Sequence, residues 1–161
     1  MLHSSSMTDT LDTTDNALRP GEVATQLPAA MDDGVYFIGT IRTPWGTRAD
    51  CPKRGSGEGP ICEIVIDPRW RDALTGIATH RSIQVLYWMH KARRDLVLQT
   101  PNRTGETTGS FALRSPVRPN PIASSMVELV EVEGLTLRVR GLDCINGTPL
   151  IDLKPDHGAH R

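Results

Sequence analysis

The sequence predicts an all-β fold, a small antiparallel β-barrel of about seven strands with one or two short helices. Three observations lead there. Short runs rich in β-branched and apolar residues recur between Pro, Gly, Asn and Asp breakers. Only residues 69–77 show helical spacing, with Trp70, Leu74 and Ile77 four and three residues apart on one face. No GxGxxG or P-loop pattern is present, so a nucleotide site of the usual α/β kind is not expected. A length of 161 residues allows one compact domain, and an aromatic content of 4% leaves the core to Ile, Leu and Val.

Residues 1–33 are rich in Ser, Thr, Asp and Ala and hold six acidic residues against Arg19 alone, the composition of a disordered acidic leader. The barrel domain is expected over 34–156, with 157–161 as a tail. The first strand is read at 35–41, ending before Thr43-Pro44. The segment 44–60 carries Pro52, Gly55, Gly57, Gly59 and Pro60 in its second half, is too long for a hairpin turn, and reads as a functional loop. Residues 61–66, closed by Asp67-Pro68, make the next strand, 69–77 a short helix and 82–89 a central strand. A second long loop, polar and basic, covers 91–106. Further strands are expected at 110–113, 122–132, 135–142 and 148–153. The alternation Leu135-Thr136-Leu137-Arg138-Val139-Arg140 predicts a strand with one wet face. Glu133-Gly134 marks a hairpin, and Asn146-Gly147 is the strongest short hairpin signal in the chain.

Eighteen basic and nineteen acidic residues give a net charge of −1, which speaks against a bulk electrostatic nucleic-acid binder or a membrane-surface polybasic protein. The leader alone contributes −5, so the remainder carries +4 and RNA returns as a partner. Cys51, Cys62 and Cys144 form no CxxC pair, and an odd count is a poor disulfide framework, which points to a reducing compartment. Cys62 and Cys144 fall in apolar stretches and are expected to be buried small hydrophobes. No apolar run reaches the roughly 18 residues of a membrane-spanning helix, and residues 1–6 lack the features of a secretion signal, so a cytoplasmic location is expected.

Two segments carry the chemistry. In residues 111–122, FALRSPVRPNPI, three prolines within six residues stiffen the chain and push Ser115, Arg118 and Asn120 towards extended or turn geometry. A stiff loop presenting Arg114 and Arg118 suits a carboxylate or phosphate ligand, because little ordering entropy is lost on binding. A proline-rich crossover with solvated arginines fits the same residues, and local physics leaves both readings open. In residues 141–155, GLDCINGTPLIDLKP, glycines allow close backbone approach and the turn's free N–H and C=O groups can read a purine edge; a plain hairpin is the alternative.

Together these segments strongly resemble the YaeB/TrmO (TsaA-like) family, with its F-A-x-R-S-P-x-R-P-N-P-I and D-x-x-D-G-T-P-x-x-D-I-K-P signatures. The resemblance spans about 35–155; Phe37-Ile38-Gly39-Thr40-Ile41 is similar to the family's opening strand and Leu86-Tyr87-Trp88-Met89-His90 to its strand ending in aromatic residues and histidine. It implies a small β-barrel, a homodimer, S-adenosylmethionine bound outside a Rossmann fold, and methylation of N6 of threonylcarbamoyladenosine beside the tRNA anticodon.

Position by position, the resemblance puts Pro52, Lys53 and Arg54, His90 and Lys91, Arg114 and Ser124, and Asn146, Gly147, Thr148, Pro149 and Leu150 at the cofactor. Candidates for managing the proton are Asp152, Asp143 and His90, since the protein must align nucleophile and methyl, exclude water and move one proton. Arg118 and Asn120, with Arg93 and Arg94 in the second basic loop beside Lys91 and Arg103, are the candidate tRNA contacts. No metal is implied; the HxxH spacing of His157 and His160 reads as tail. The chain departs from the family pattern at Pro52-Lys53-Arg54-Gly55, where Pro-Arg-Gln-Pro is usual, at Ser82, Gln84 and Ala123-Ser124-Ser125, and at Asn146 and Asp156. It also ends where longer members continue. The rival readings are a small-molecule methyltransferase or a non-catalytic S-adenosylmethionine-binding module on the same barrel, with no tRNA substrate, and a homomeric barrel binding some other anionic ligand.

Overall fold

The computed structural model describes residues 17–157. Along the chain run β1 (Val23–Ala24), β2 (Gly39–Arg42), β3 (Cys62–Ile66), β4 (Ser82–Trp88), β5 (Leu96–Gln99), β6 (Thr108–Gly109), β7 (Ile122–Glu133), β8 (Thr136–Arg140) and β9 (Thr148–Pro155). Six of them close into a barrel in the order β2-β3-β8-β7-β4-β9, and β1-β5-β6 form a separate small sheet. Every neighbouring pair is antiparallel. The all-β barrel expected from the sequence is therefore observed, with six barrel strands among nine in all.

Alternation builds the core. Ile41, Ile64 and Leu137 face one another across β2, β3 and β8 and are fully buried, as are Ile83, Val85, Val139 and Leu150. Each such side chain contributes about 1.5–3 kcal/mol on full burial. β8 has the wet face its sequence predicts, with only Leu137 and Val139 turned inward. β7 is long enough to pair with β4 over its first half and β8 over its second, and a bulge between Leu129 and Glu131 bends it between the two partners. Cys62 and Cys144 are buried as expected.

Five elements differ from expectation. The stretch 91–106, read as one long loop, contains β5, because Leu96 and Gln99 turn inward and are buried while the strand pairs with β1 and β6. Pairing in β2 starts only at Gly39, so Val35, Tyr36 and Phe37 stay largely exposed, and the Tyr36 and Phe37 rings instead rest near Trp70 and Trp88. The stretch 110–113 is not a strand: residues Ser110–Ala112 form a 3-10 turn, because Ser110 is buried with its hydroxyl donating to the Leu96 carbonyl at 2.7 Å. The helical stretch is two 3-10 segments, Pro68–Leu74 and Ile77–Thr79, parted by Gly76 at φ 87°; Asp67 caps the first, and Trp70, Leu74 and Ile77 pack on the core as their spacing predicts. The Asn146-Gly147 turn is not a hairpin. β8 and β9 are not neighbours, since β3 and β7 already occupy both edges of β8, and the turn is instead sewn to β2 by Gly147 N–H to the Ile41 carbonyl at 2.8 Å.

Within the acidic segment, the described residues hold one short strand, Val23–Ala24. β1 pairs with β5, and Glu22 accepts the Thr100 N–H at 3.1 Å through one carboxylate oxygen and the Arg19 N–H at 3.0 Å through the other. Partial burial opposes ionisation of Glu22, but these two donors together with the Arg19 and Arg93 charges outweigh it and hold the carboxyl below its ordinary value. Residues 1–16 lie outside the described residues, as does His160 of the HxxH pair.

Candidate functional site

A cleft of about 300 Å³ opens at the end of the barrel where β4 finishes and β9 begins; it is lined by Arg48, Cys51, Pro52, Lys53, Met89, His90, Lys91, Ala92, Arg114, Pro116, Asp143, Cys144, Ile145 and Thr148. Four segments remote in sequence meet here, one of them the 143–148 stretch that leads into β9. The glycine-rich loop reaches the cleft because Gly55 packs directly on the Gly141 backbone: a Cβ on Gly55 would collide with the Gly141 carbonyl. The strand end supplies Met89 to Ala92, tied by Met89 N–H to the buried Pro121 carbonyl at 2.8 Å. The proline-rich loop supplies Arg114, whose guanidinium donates to the Ser124 carbonyl at 3.0 Å.

The charges are uneven. Arg48, Lys53, Lys91 and Arg114 stand against Asp143, the one carboxylate among the lining residues. Asp143 Oδ1 accepts the Tyr87 hydroxyl at 2.7 Å, and that hydroxyl lies 2.8 Å from Ser125 Oγ. Burial pushes the Tyr87 phenol well above its ordinary pKa, with the Asp143 charge adding to it, so the phenol is a permanent donor. Desolvation and the Lys91 ammonium hold the His90 imidazole below its ordinary value, leaving it neutral at pH 7. Burial, with the charges of Asp143 and Asp50 adding, raises the Cys51 thiol, and burial pushes Cys144 to about 12. Neither thiol is a ready nucleophile.

Of the residues singled out from sequence, Pro52, Lys53, His90, Lys91, Arg114, Asp143 and Thr148 line this cleft. Arg54 is exposed beside it. Ser124 accepts from Gln84 at 2.9 Å, and Asn146 Oδ1 accepts the Thr43 N–H at 3.2 Å, so Asn146 and Gly147 act within the turn. Pro149 is not among the lining residues, and Leu150 is fully buried in the core because β9 alternates inward at 148 and 150. Asp152 lines a different cavity, of about 350 Å³, with Trp70, Leu74, Ile77 and His80, and pairs with Lys154 at 3.2 Å.

The candidate tRNA contacts are engaged within the fold. Arg118 donates to the Leu113 and Ser115 carbonyls at 2.8 and 3.2 Å, bracing its own loop. Arg93 is paired with Asp95 at 2.8 Å, and Arg94 bonds the Pro119 carbonyl and Asn120 Oδ1 while its guanidinium lies 5.2 Å from the Trp88 ring centroid. Lys53, Arg54, Lys91 and Arg103 make no hydrogen bond or ion pair among the described residues. Sequence reasoning missed Arg48 and Cys51, which belong to the 44–60 loop although only Pro52, Lys53 and Arg54 were assigned from it, and missed Tyr87, whose buried hydroxyl has no local sequence signal. Among the described residues, no group of three or more His, Cys, Asp or Glu is placed to hold a metal ion, and no helix is long and apolar enough to cross a membrane.

Comparison with known proteins gives this geometry a context. The model of the tRNA-methyltransferase O N-terminal domain matches residues 40–157. The chain is 49% identical over 139 residues, 86% of its length and 79% of the relative's, to a "Probable S-adenosyl-L-methionine-binding protein VirR" of Rhizobium radiobacter. It is 32% identical over 130 residues to the Escherichia coli tRNA (adenine(37)-N6)-methyltransferase, covering 73% of this chain and 55% of that one. The crystal structure of TrmO from Pseudomonas aeruginosa superposes with a TM-score of 0.64 at 28% identity, over 78% of this chain and 56% of that chain. The chain thus spans about half the length of the Escherichia coli methyltransferase and of the Pseudomonas aeruginosa TrmO chain. With the match running from β2 to just past the end of β9, and so through every strand of the barrel, the chain belongs to the family of the tRNA-methyltransferase O N-terminal domain.

Proposed function

We propose that the chain is an S-adenosylmethionine-dependent methyltransferase acting on N6 of adenosine in tRNA, with threonylcarbamoyladenosine beside the anticodon as the substrate form. The observation that carries the reading is the composition of the cleft, four cationic side chains around a single carboxylate over an apolar floor of Met89, Ala92 and Ile145. S-adenosylmethionine has a carboxylate, an ammonium and sulfonium, and an adenine ring, and each meets its complement in that set. Arg48, Lys53, Lys91 and Arg114 suit the carboxylate, Asp143 the cationic groups, and the floor the ring. When bound, the cofactor supplies a methyl group already activated by the sulfonium.

What remains for the protein is orientation, exclusion of water and one proton. His90, neutral at pH 7, and Asp143 are the acceptors at hand for the N6 proton, and Asp152 opens onto the other cavity. Lys91 and Arg103 are the basic residues of the second loop available to phosphate. A homodimer in the cytoplasm is part of the proposal; the outer face of β4 and β7, where Ile122 and Met126 are exposed among Gln84, Ser124 and Glu128, is a mixed surface available to it.

The engaged state of Arg93, Arg94, Arg118 and Asn120 favours a second reading, a binding module or small-molecule methyltransferase on the same barrel without a tRNA substrate. Incubation with S-adenosylmethionine and tRNA either bearing or lacking the threonylcarbamoyl group, followed by nucleoside mass spectrometry, separates these. Methylation only of the modified tRNA is expected. Methylation of both excludes the specific substrate form, and methylation of neither, with cofactor still binding in calorimetry, leaves the second reading.

A further inference from the structure

Asp143 lies on the 141–147 segment, which belongs to no strand. No ladder therefore dictates where its side chain points. What holds it is Tyr87, whose ring is only 2% exposed inside the barrel and whose hydroxyl is 2.7 Å from Asp143 Oδ1. The hydroxyl has a single proton, and a carboxylate can only accept, so that proton goes to Asp143. The 2.8 Å contact with Ser125 must then run the other way, with Ser125 Oγ donating to the phenolic oxygen. The result is a directed chain, Ser125 to Tyr87 to Asp143, in which each bond polarises the next. It starts on β7, crosses β4 and ends in the cleft, binding the irregular segment to the stiffest part of the molecule.

We propose that Tyr87 is a positioning residue: it locks Asp143 through Oδ1, so that Oδ2 stands as a preorganised acceptor for an ammonium or N–H donor of the bound ligand. Among the described residues nothing else bonds the Asp143 carboxylate. The carboxylate is opposed in the cleft by the cations of Arg48, Lys53, Lys91 and Arg114, any of which would draw it aside if the phenol released it. Placing the anchor in the barrel keeps the acceptor fixed before a ligand arrives, which reduces the ordering lost on binding.

The inference rests on the cleft being the S-adenosylmethionine site, and the test keeps the two apart. Affinity for S-adenosylmethionine and for S-adenosylhomocysteine is measured by calorimetry on the full chain, for the wild type, Tyr87→Phe, Asp143→Asn and the double variant, with thermal melts alongside. Tyr87→Phe removes only the hydroxyl and is expected to weaken binding about tenfold, as befits a hydrogen bond to a charged group. In the Asp143→Asn background the same substitution should change affinity less than about twofold, because its target is gone. Ser125→Ala, further from the cleft, should show the same pattern at about two- to threefold, and serves if Tyr87→Phe fails to fold. In turnover assays the KM for S-adenosylmethionine should rise more than kcat falls in Tyr87→Phe. Equal losses from Tyr87→Phe in both backgrounds, or none in either, overturn the positioning role. A wild-type chain that binds neither ligand overturns the reading of the cleft itself.

Discussion

The barrel and the small sheet beside it are held together by different forces. In the barrel, Ile41, Ile64, Ile83, Val85, Leu137, Val139 and Leu150 are fully buried, and stability comes from apolar area removed from water. In the small sheet, Val23, Val97 and Leu98 are well exposed and the strands are two to four residues long. There the polar groups do the holding. Gln99, 5% exposed, donates to Ser110 Oγ at 2.7 Å and to the Val117 carbonyl at 2.6 Å, and Glu22 spans Arg19 and Thr100. The cleft opens at one end of the barrel, where Met89, Ala92 and Ile145 follow or precede barrel strands, while the proline-rich loop carrying Arg114 and Pro116 is tethered through Gln99 to the small sheet. Damage to the barrel should therefore unfold the protein, whereas damage to the small sheet should loosen one wall of the site.

Four measurements test that division. Leu137→Ala should have the largest effect, about 2–5 kcal/mol of global stability, because it opens a cavity where β3, β7 and β8 meet; denaturant unfolding reads it, and a loss below 1 kcal/mol would contradict the barrel as the main source of stability. Gln99→Met should follow at about 1–3 kcal/mol, from the Ser110 hydroxyl and Val117 carbonyl left without their donor. Its distinguishing mark is local: faster amide exchange around 96–117 with the β8 amides unchanged. Uniform acceleration across both regions would merge them into one unit.

Glu22→Gln should be smaller, within about 1 kcal/mol at pH 7. Its pH dependence has a definite sign. The folded carboxyl lies below its ordinary value of 4.5, so the contribution is present above that pH and is lost as acid carries it through the folded value. Thermal melts of wild type and variant should thus differ at neutral pH and converge on the acid side; a gap that widens in acid would reverse the assignment. The smallest effect is chemical. At pH 8 Cys51 should alkylate slowly and Cys62 and Cys144 only on unfolding, since burial raises both buried thiols, Cys144 to about 12. Rapid labelling of Cys144 in the folded chain would mean that the barrel end opens.

Much of the barrel was legible because a strand records its own two faces. Leu137 and Val139 announce an inward face by alternation, and Trp70, Leu74 and Ile77 announce theirs by helical spacing, even though the turns they form are 3-10. The small sheet left weaker marks. Ser110 reads as the start of a strand until its burial against Leu96 is known, and Val23-Ala24 is only two residues within an acidic, polar segment. Of the residues the motifs pointed to, Lys53, His90, Lys91, Arg114, Asp143 and Thr148 line the candidate cleft, but composition could not tell an arginine that faces a cleft from one that braces a loop. Arg114 and Arg118 are four residues apart in one motif; Arg118 turns back onto the carbonyls of Leu113 and Ser115, while Arg114 reaches the cleft wall.

By itself, then, the sequence determined the fold class, the inward faces of the strands and two of the four segments that line the candidate cleft, because period-two alternation and proline-fixed backbone are local properties. Only the tertiary structure decided that Asn146-Gly147 joins strands that never pair, that Asp143 and not Asp152 enters the cleft, and that Tyr87 reaches that carboxylate from inside the barrel. Those outcomes depend on which strand lies beside which once the sheet closes. Closure is a property of all six barrel strands together and is encoded in no one of them.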